Sequence, residues 1–80
     1  MSKQNLYELP LDGAVFELQC GGNLGSENES CVDLAAIPGA EEGFVLRDSK
    51  TEGAGREVRY EGAELDAFAV NWVRSRGLTV

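Results

Sequence analysis

Eighty residues with a mass of 8.6 kDa leave room for one domain, because a second hydrophobic core would have nothing left to bury. Fourteen acidic against seven basic side chains give a net charge of −7, so the molecule as a whole repels a phosphate backbone, and no direct nucleic-acid contact is expected. With no histidine and two cysteines, one chain cannot assemble the usual ligand sets of zinc, haem or iron–sulfur sites, nor a histidine-based triad; neither cofactor nor metal is expected.

From Met1 to Asn5 the chain is polar. No apolar run reaches the ~7–15 residues of a signal peptide's hydrophobic region or the ~20 of a membrane helix. A cytoplasmic protein without membrane contact is expected, and there Cys20 and Cys31 are expected to be free thiols. Leu6-Tyr7-Glu8-Leu9-Pro10-Leu11 carries more apolar surface than a disordered tail needs, and its expected place is over a sheet edge, which it would shield from other chains. Residues 1–10 form this N-terminal segment, 11–76 the single domain and 77–80 a tail.

Four short runs alternate with the period of half-buried strands. Phe16 and Leu18 oppose Val15, Glu17 and Gln19; Val32, Leu34 and Ala36 oppose Asp33; Phe44 and Leu46 oppose Val45 and Arg47; Val58 and Tyr60 oppose Glu57, Arg59 and Glu61. Their connections of about 5–10 residues suit antiparallel neighbours, since parallel crossovers need roughly a dozen or more. Facing cysteines in the first hairpin would pair Leu18 with Asp33 and put a carboxylate on the core face. Shifting the register by one pairs Leu18 with Leu34 and Phe16 with Ala36, apolar against apolar, so that register and unbridged cysteines are predicted.

After Tyr60 the period changes. Leu65, Phe68, Ala69, Trp72 and Val73 mark one stripe of a helix of about 12–14 residues. Glu61, Glu64 and Asp66 near its start and Arg74 and Arg76 near its end suit the helix dipole, and Gly77 fits the C′ position. The fold class expected is α+β: a small antiparallel sheet of about four strands packed against one C-terminal helix. Phe68 and Trp72 are expected to be buried against Phe16, Phe44 and Tyr60.

The candidate chemistry is sparse. Arg47-Asp48-Ser49-Lys50 is the densest polar cluster, and a Ser–Lys hydrolase would use it. Adjacent strand residues point to opposite faces, so the expected roles are structural: Asp48 and Ser49 bond backbone N–H groups at a turn, and Arg47 pairs across the sheet with Glu57 or Glu61. Gly21-Gly22-Asn23-Leu24-Gly25 lacks the Lys-Ser/Thr of a phosphate loop. Glu27-Asn28-Glu29 and Glu41-Glu42 lack the spaced ligands of a calcium loop. Both read as hairpin loops. No catalytic set emerges, and the chain is not expected to be an enzyme.

Charge is distributed unevenly: residues 1–46 hold eight acids against Lys3, while residues 47–80 hold six charges of each sign. An acidic face complements a basic partner. Asp33, Glu41 and Glu42, with Arg47, Asp48, Ser49 and Lys50, are the candidate partner contacts. Direct DNA binding would instead need Arg47, Arg56, Arg59, Arg74 and Arg76 on one face. Two open sheet edges permit a homodimer without requiring one.

The succession Leu11-Asp12-Gly13-Ala14-Val15-Phe16, Cys31-Val32-Asp33-Leu34-Ala35, Phe44-Val45-Leu46-Arg47-Asp48-Ser49-Lys50 and Val58-Arg59-Tyr60 leading into Glu64-Leu65-Asp66-Ala67-Phe68 resembles the bacterial domain of unknown function 397, over roughly residues 11–73. Here Phe16 and Leu65 stand where that family usually has Trp, Gln19-Cys20 where it has Ser-Ser, and Gly62 where Pro opens the helix. The resemblance implies a small actinobacterial accessory or antitoxin-like protein. It would bind a helix-turn-helix transcriptional regulator and modulate it, in development or antibiotic control.

Overall fold

The computed structural model describes residues 5–19 and 31–79. Among them, four strands form one antiparallel meander in chain order: β1 (Glu17–Gln19), β2 (Val32–Ala36), β3 (Gly43–Asp48) and β4 (Glu57–Glu61). Helix α1 (Gly62–Arg76) follows β4 directly. The expected α+β class is the one observed. Helix α1 opens on a capping box, in which the Glu61 N–H donates to Glu64 Oε1 at 2.8 Å, and it closes at Gly77 in the left-handed conformation with φ 69°. There the N–H of Leu78 donates to the carbonyl of Val73, a closure that glycine accepts without Cβ strain.

The core sits on the side of the sheet opposite to the one predicted. Ala35, Ile37 and Val45 are buried, and Leu6, Leu9, Leu11, Ala14, Phe16 and Ala40 pack around them. The N-terminal segment therefore lies over the face that carries Asp33, Val45, Arg47 and Arg59, rather than along an edge. Asn5 caps its single 3-10 turn (Leu6–Glu8), its Oδ1 accepting from the Tyr7 N–H at 3.1 Å. Arg59 fastens it, donating from Nη1 to the carbonyls of Leu6 at 2.6 Å and Leu9 at 2.8 Å. The Tyr7 hydroxyl accepts the backbone N–H of Arg59 at 3.0 Å.

Helix α1 does not cover the opposite face. Phe68 is 60% and Trp72 50% exposed, and Tyr60 is 42% exposed, so the predicted burial of these rings against one another and against Phe16 and Phe44 is overturned. The physical reason is the missing loop. Glu61 ends the strand and caps the helix at once, whereas folding the helix back onto the sheet calls for a connection of about 2–6 residues. Helix α1 meets the sheet where it springs from β4, and its apolar stripe is left to solvent.

The β1–β2 register is also corrected. Glu17 pairs with Leu34, Leu18 with Asp33 and Gln19 with Val32, the register rejected above. A carboxylate does face the core side, where Arg47 opposite it on β3 neutralises it. Cys31 is disulfide-bonded, against the expectation of free thiols; the chain's other cysteine, Cys20, lies outside the described residues.

Candidate partner-binding surface

The residues singled out from sequence divide between the two ends of the β2–β3 hairpin. At one end β3 delivers Arg47, Asp48, Ser49 and Lys50 next to the start of β2. Each has a local partner. Arg47 Nε donates to Asp33 Oδ2 at 2.8 Å, and its guanidinium carbon lies 3.6 Å from the centroid of the Phe16 ring. Glu57 stands opposite Arg47 on β4 but is taken by Arg59, so the predicted pairing of Arg47 with Glu57 or Glu61 gives way to Asp33. Ser49 Oγ accepts the N–H of Cys31 at 2.9 Å, and the Ser49 N–H donates to the Cys31 carbonyl at 3.2 Å. Ser49 thus extends the β2–β3 ladder by one residue instead of capping its own turn.

Asp48 does hold a turn. Its Oδ1 accepts the Lys50 N–H at 2.9 Å, and its carboxylate meets the Lys50 ammonium at 2.9 Å. The backbone bond first, and the ammonium second, hold the Asp48 carboxyl below its ordinary value. These bonds commit Ser49 Oγ to Cys31 and Lys50 Nζ to Asp48.

At the other end, Glu41 and Glu42 lie in the β2–β3 connection, exposed. The carbonyl of Glu42 accepts the N–H of Gly62 at 3.1 Å, and a Cβ on Gly62 would stand 2.8 Å from Glu42 Cδ. The acidic connection is therefore packed on the first residue of α1. Asp33 is buried at 7% exposure and serves Arg47 inside the fold rather than facing a partner. The glycine-rich stretch 21–25 and the acids Glu27 and Glu29 lie outside the described residues; among the described residues no group of three or more metal-ligating side chains is found.

The five arginines weighed for DNA do not share a face. Arg47 and Arg59 lie on the side covered by the N-terminal segment, Arg56 precedes β4, and Arg74 and Arg76 end α1. No helix among the described residues is long and apolar enough to cross a membrane.

Sequence reasoning missed an open groove of about 500 Å³ on the uncovered face, floored by Val32, Leu46 and Val58 and rimmed by Asp48, Lys50 and Arg56. The signal was present. Residues 32, 34, 44, 46, 58 and 60 form the larger apolar set of the alternating strands, but assigning them to the core concealed that they line an open face on which Val32, Val58 and Tyr60 are exposed and the other three half-buried. No family model, curated protein or solved structure matches this chain. The likeness to the domain of unknown function 397 rests on the sequence motifs alone.

Proposed function

We propose that this protein is a non-enzymatic interaction module that binds a helix-turn-helix transcriptional regulator and modulates it. One observation carries the reading: Glu8, Asp12, Glu17, Glu41 and Glu42 are all exposed, and none of the five makes an ion pair among the described residues. Five unpaired carboxylates against a basic surface speed encounter and compete with DNA for it. The choice of a helix-turn-helix regulator comes from the family resemblance.

Such a partner works in the cytoplasm, where the reducing poise keeps most cysteines as thiols. The disulfide of Cys31 then belongs to the oxidised form. The test is a pull-down against the helix-turn-helix regulators of the same organism, repeated at rising salt. Binding at low salt that fades as salt screens the carboxylates supports the reading; no recovery at low salt, where attraction is strongest, overturns it.

A further inference from the structure

Two apolar surfaces lack cover among the described residues. On the sheet, Val32, Leu34, Phe44, Leu46, Val58 and Tyr60 share one face by register, with Val32 49% and Val58 44% exposed. On the helix, Phe68 and Trp72 stack at 6.0 Å between ring centroids, and the Arg76 guanidinium lies 5.7 Å from the Trp72 ring. Single exposed apolar residues are ordinary, but contiguous apolar faces mark interfaces.

We infer that helix α1 of a second copy of this chain covers the open face of the sheet, reciprocally, in a two-fold dimer. The inference rests on the interaction-module reading and names one partner of the module; of the five unpaired carboxylates, Glu17 lies on this sheet face, opposite Leu34. Two properties of the faces, length and area, agree with each other. A helix of fifteen residues is about 22 Å long, and strands of five or six residues span about 17–20 Å, so the stripe fits the face end to end.

Helix α1 leaves the Glu41–Glu42 end of its own sheet without folding back over it, so a two-fold axis across the strands lays each helix on the second copy's sheet from that same end, and the contact is carried by apolar cover rather than by charge.

The area is adequate. Large rings bury about 150–250 Å² each when fully covered, so the exposed parts of Tyr60, Phe68 and Trp72 leave about 300 Å² per copy. Adding the aliphatic neighbours and counting both copies brings the reciprocal contact to about 1,200 Å², the lower bound of a stable interface. Each face is one the other fits, and the symmetry closes, which prevents an open chain of copies.

Light scattering on the eluting protein, read together with fluorescence of Trp72, the single tryptophan, tests this. The full-length chain at about 100 μM should elute at twice 8.6 kDa, and its emission should shift to the red on dilution as Trp72 meets water. Trp72→Glu and Val58→Glu should each give a monomer with an unchanged far-ultraviolet circular dichroism spectrum. Val70→Glu, 48% exposed on the other side of the helix, should leave the dimer intact.

A monomeric wild-type chain at every concentration overturns the inference whatever the variants do, as does a dimer that survives both substitutions. Failure here is separable from failure of the regulator reading: the dimer, being apolar, should persist in about 0.5 M salt, whereas the carboxylate-driven pull-down should not. A monomeric chain that still captures the regulator removes the dimer alone. A dimer that captures no regulator at low salt removes the regulator alone.

Discussion

Asp33 and Arg47 stand opposite each other on β2 and β3, and Arg47 Nε donates to the Asp33 carboxylate at 2.8 Å. The two ends are unequally wet: the Asp33 side chain is 10% exposed and that of Arg47 47%. Losing the base strands a buried carboxylate, whereas neutralising the acid leaves a guanidinium that water still reaches. Arg47→Met should therefore destabilise the fold by about 2–3 kcal/mol and Asp33→Asn by about 1 kcal/mol. Urea unfolding midpoints decide it, and the reverse order would refute the account.

This pair also explains how far the sequence was legible. The strands and the helix with its Gly77 stop follow from periodicity and turn residues, which are local; the strand order does not. Which side of the sheet is covered is not local. Val32, Phe44, Leu46, Val58 and Tyr60 present the larger apolar surface, yet the smaller set of Ala35, Ile37 and Val45 becomes the core. Leu6, Leu9, Leu11 and Phe16 reach that side, and Arg47 and Arg59 lay their stems across it. The parity argument against pairing Leu18 with Asp33 assumed that a carboxylate cannot face inward. It omitted the cation that the β2–β3 register sets opposite. Among the candidate site residues, local turn chemistry predicted the backbone bond at Asp48, while the bond from Cys31 to Ser49 depended on that longer-range register.

Arg59 decides whether the N-terminal segment stays down. One guanidinium nitrogen bonds two carbonyls, Nε is held by Glu57, and the whole side chain is 10% exposed. Arg59→Lys keeps the charge but offers one nitrogen where Arg59 uses two, so it cannot hold Glu57 and both carbonyls at once. Arg59→Lys should cost about 1–2 kcal/mol and Arg59→Ala about 3 kcal/mol. Cleavage by a protease within residues 5–16 should quicken in the same order. Equal cleavage rates in wild type and both variants would mean that apolar packing alone holds the segment.

Gly43 should resist substitution although its backbone is ordinary strand. A Cβ there would stand 2.7 Å from Leu6 Cδ2 and 3.0 Å from Ala40 Cβ, so Leu6 must leave its rotamer or its place over the core. Gly43→Ala should destabilise by about 1–2 kcal/mol, the range of overpacking. The check is thermal unfolding of Gly43→Ala alone and with Leu6→Ala, which frees the space. The second substitution should add less than its own separate cost, and strict additivity would sink the packing account.

Asp48 gives the fold a pH dependence of known sign. Its carboxyl is held below the ordinary value of 3.8, first by the Lys50 backbone N–H and then by the Lys50 side chain. Because the folded group is the stronger acid, its contribution is present above the unfolded value and is lost as pH falls through the folded one. Lys50→Ala removes the ammonium but keeps the N–H, so the Asp48 carboxyl should still titrate below its ordinary value, with a shift smaller than in the wild type. Carboxyl carbon resonances followed by NMR from about pH 2 to 6 span the ordinary and lowered range. An Asp48 that titrates normally in the wild-type chain, or loses its whole shift in Lys50→Ala, would show that the turn bond does not hold it.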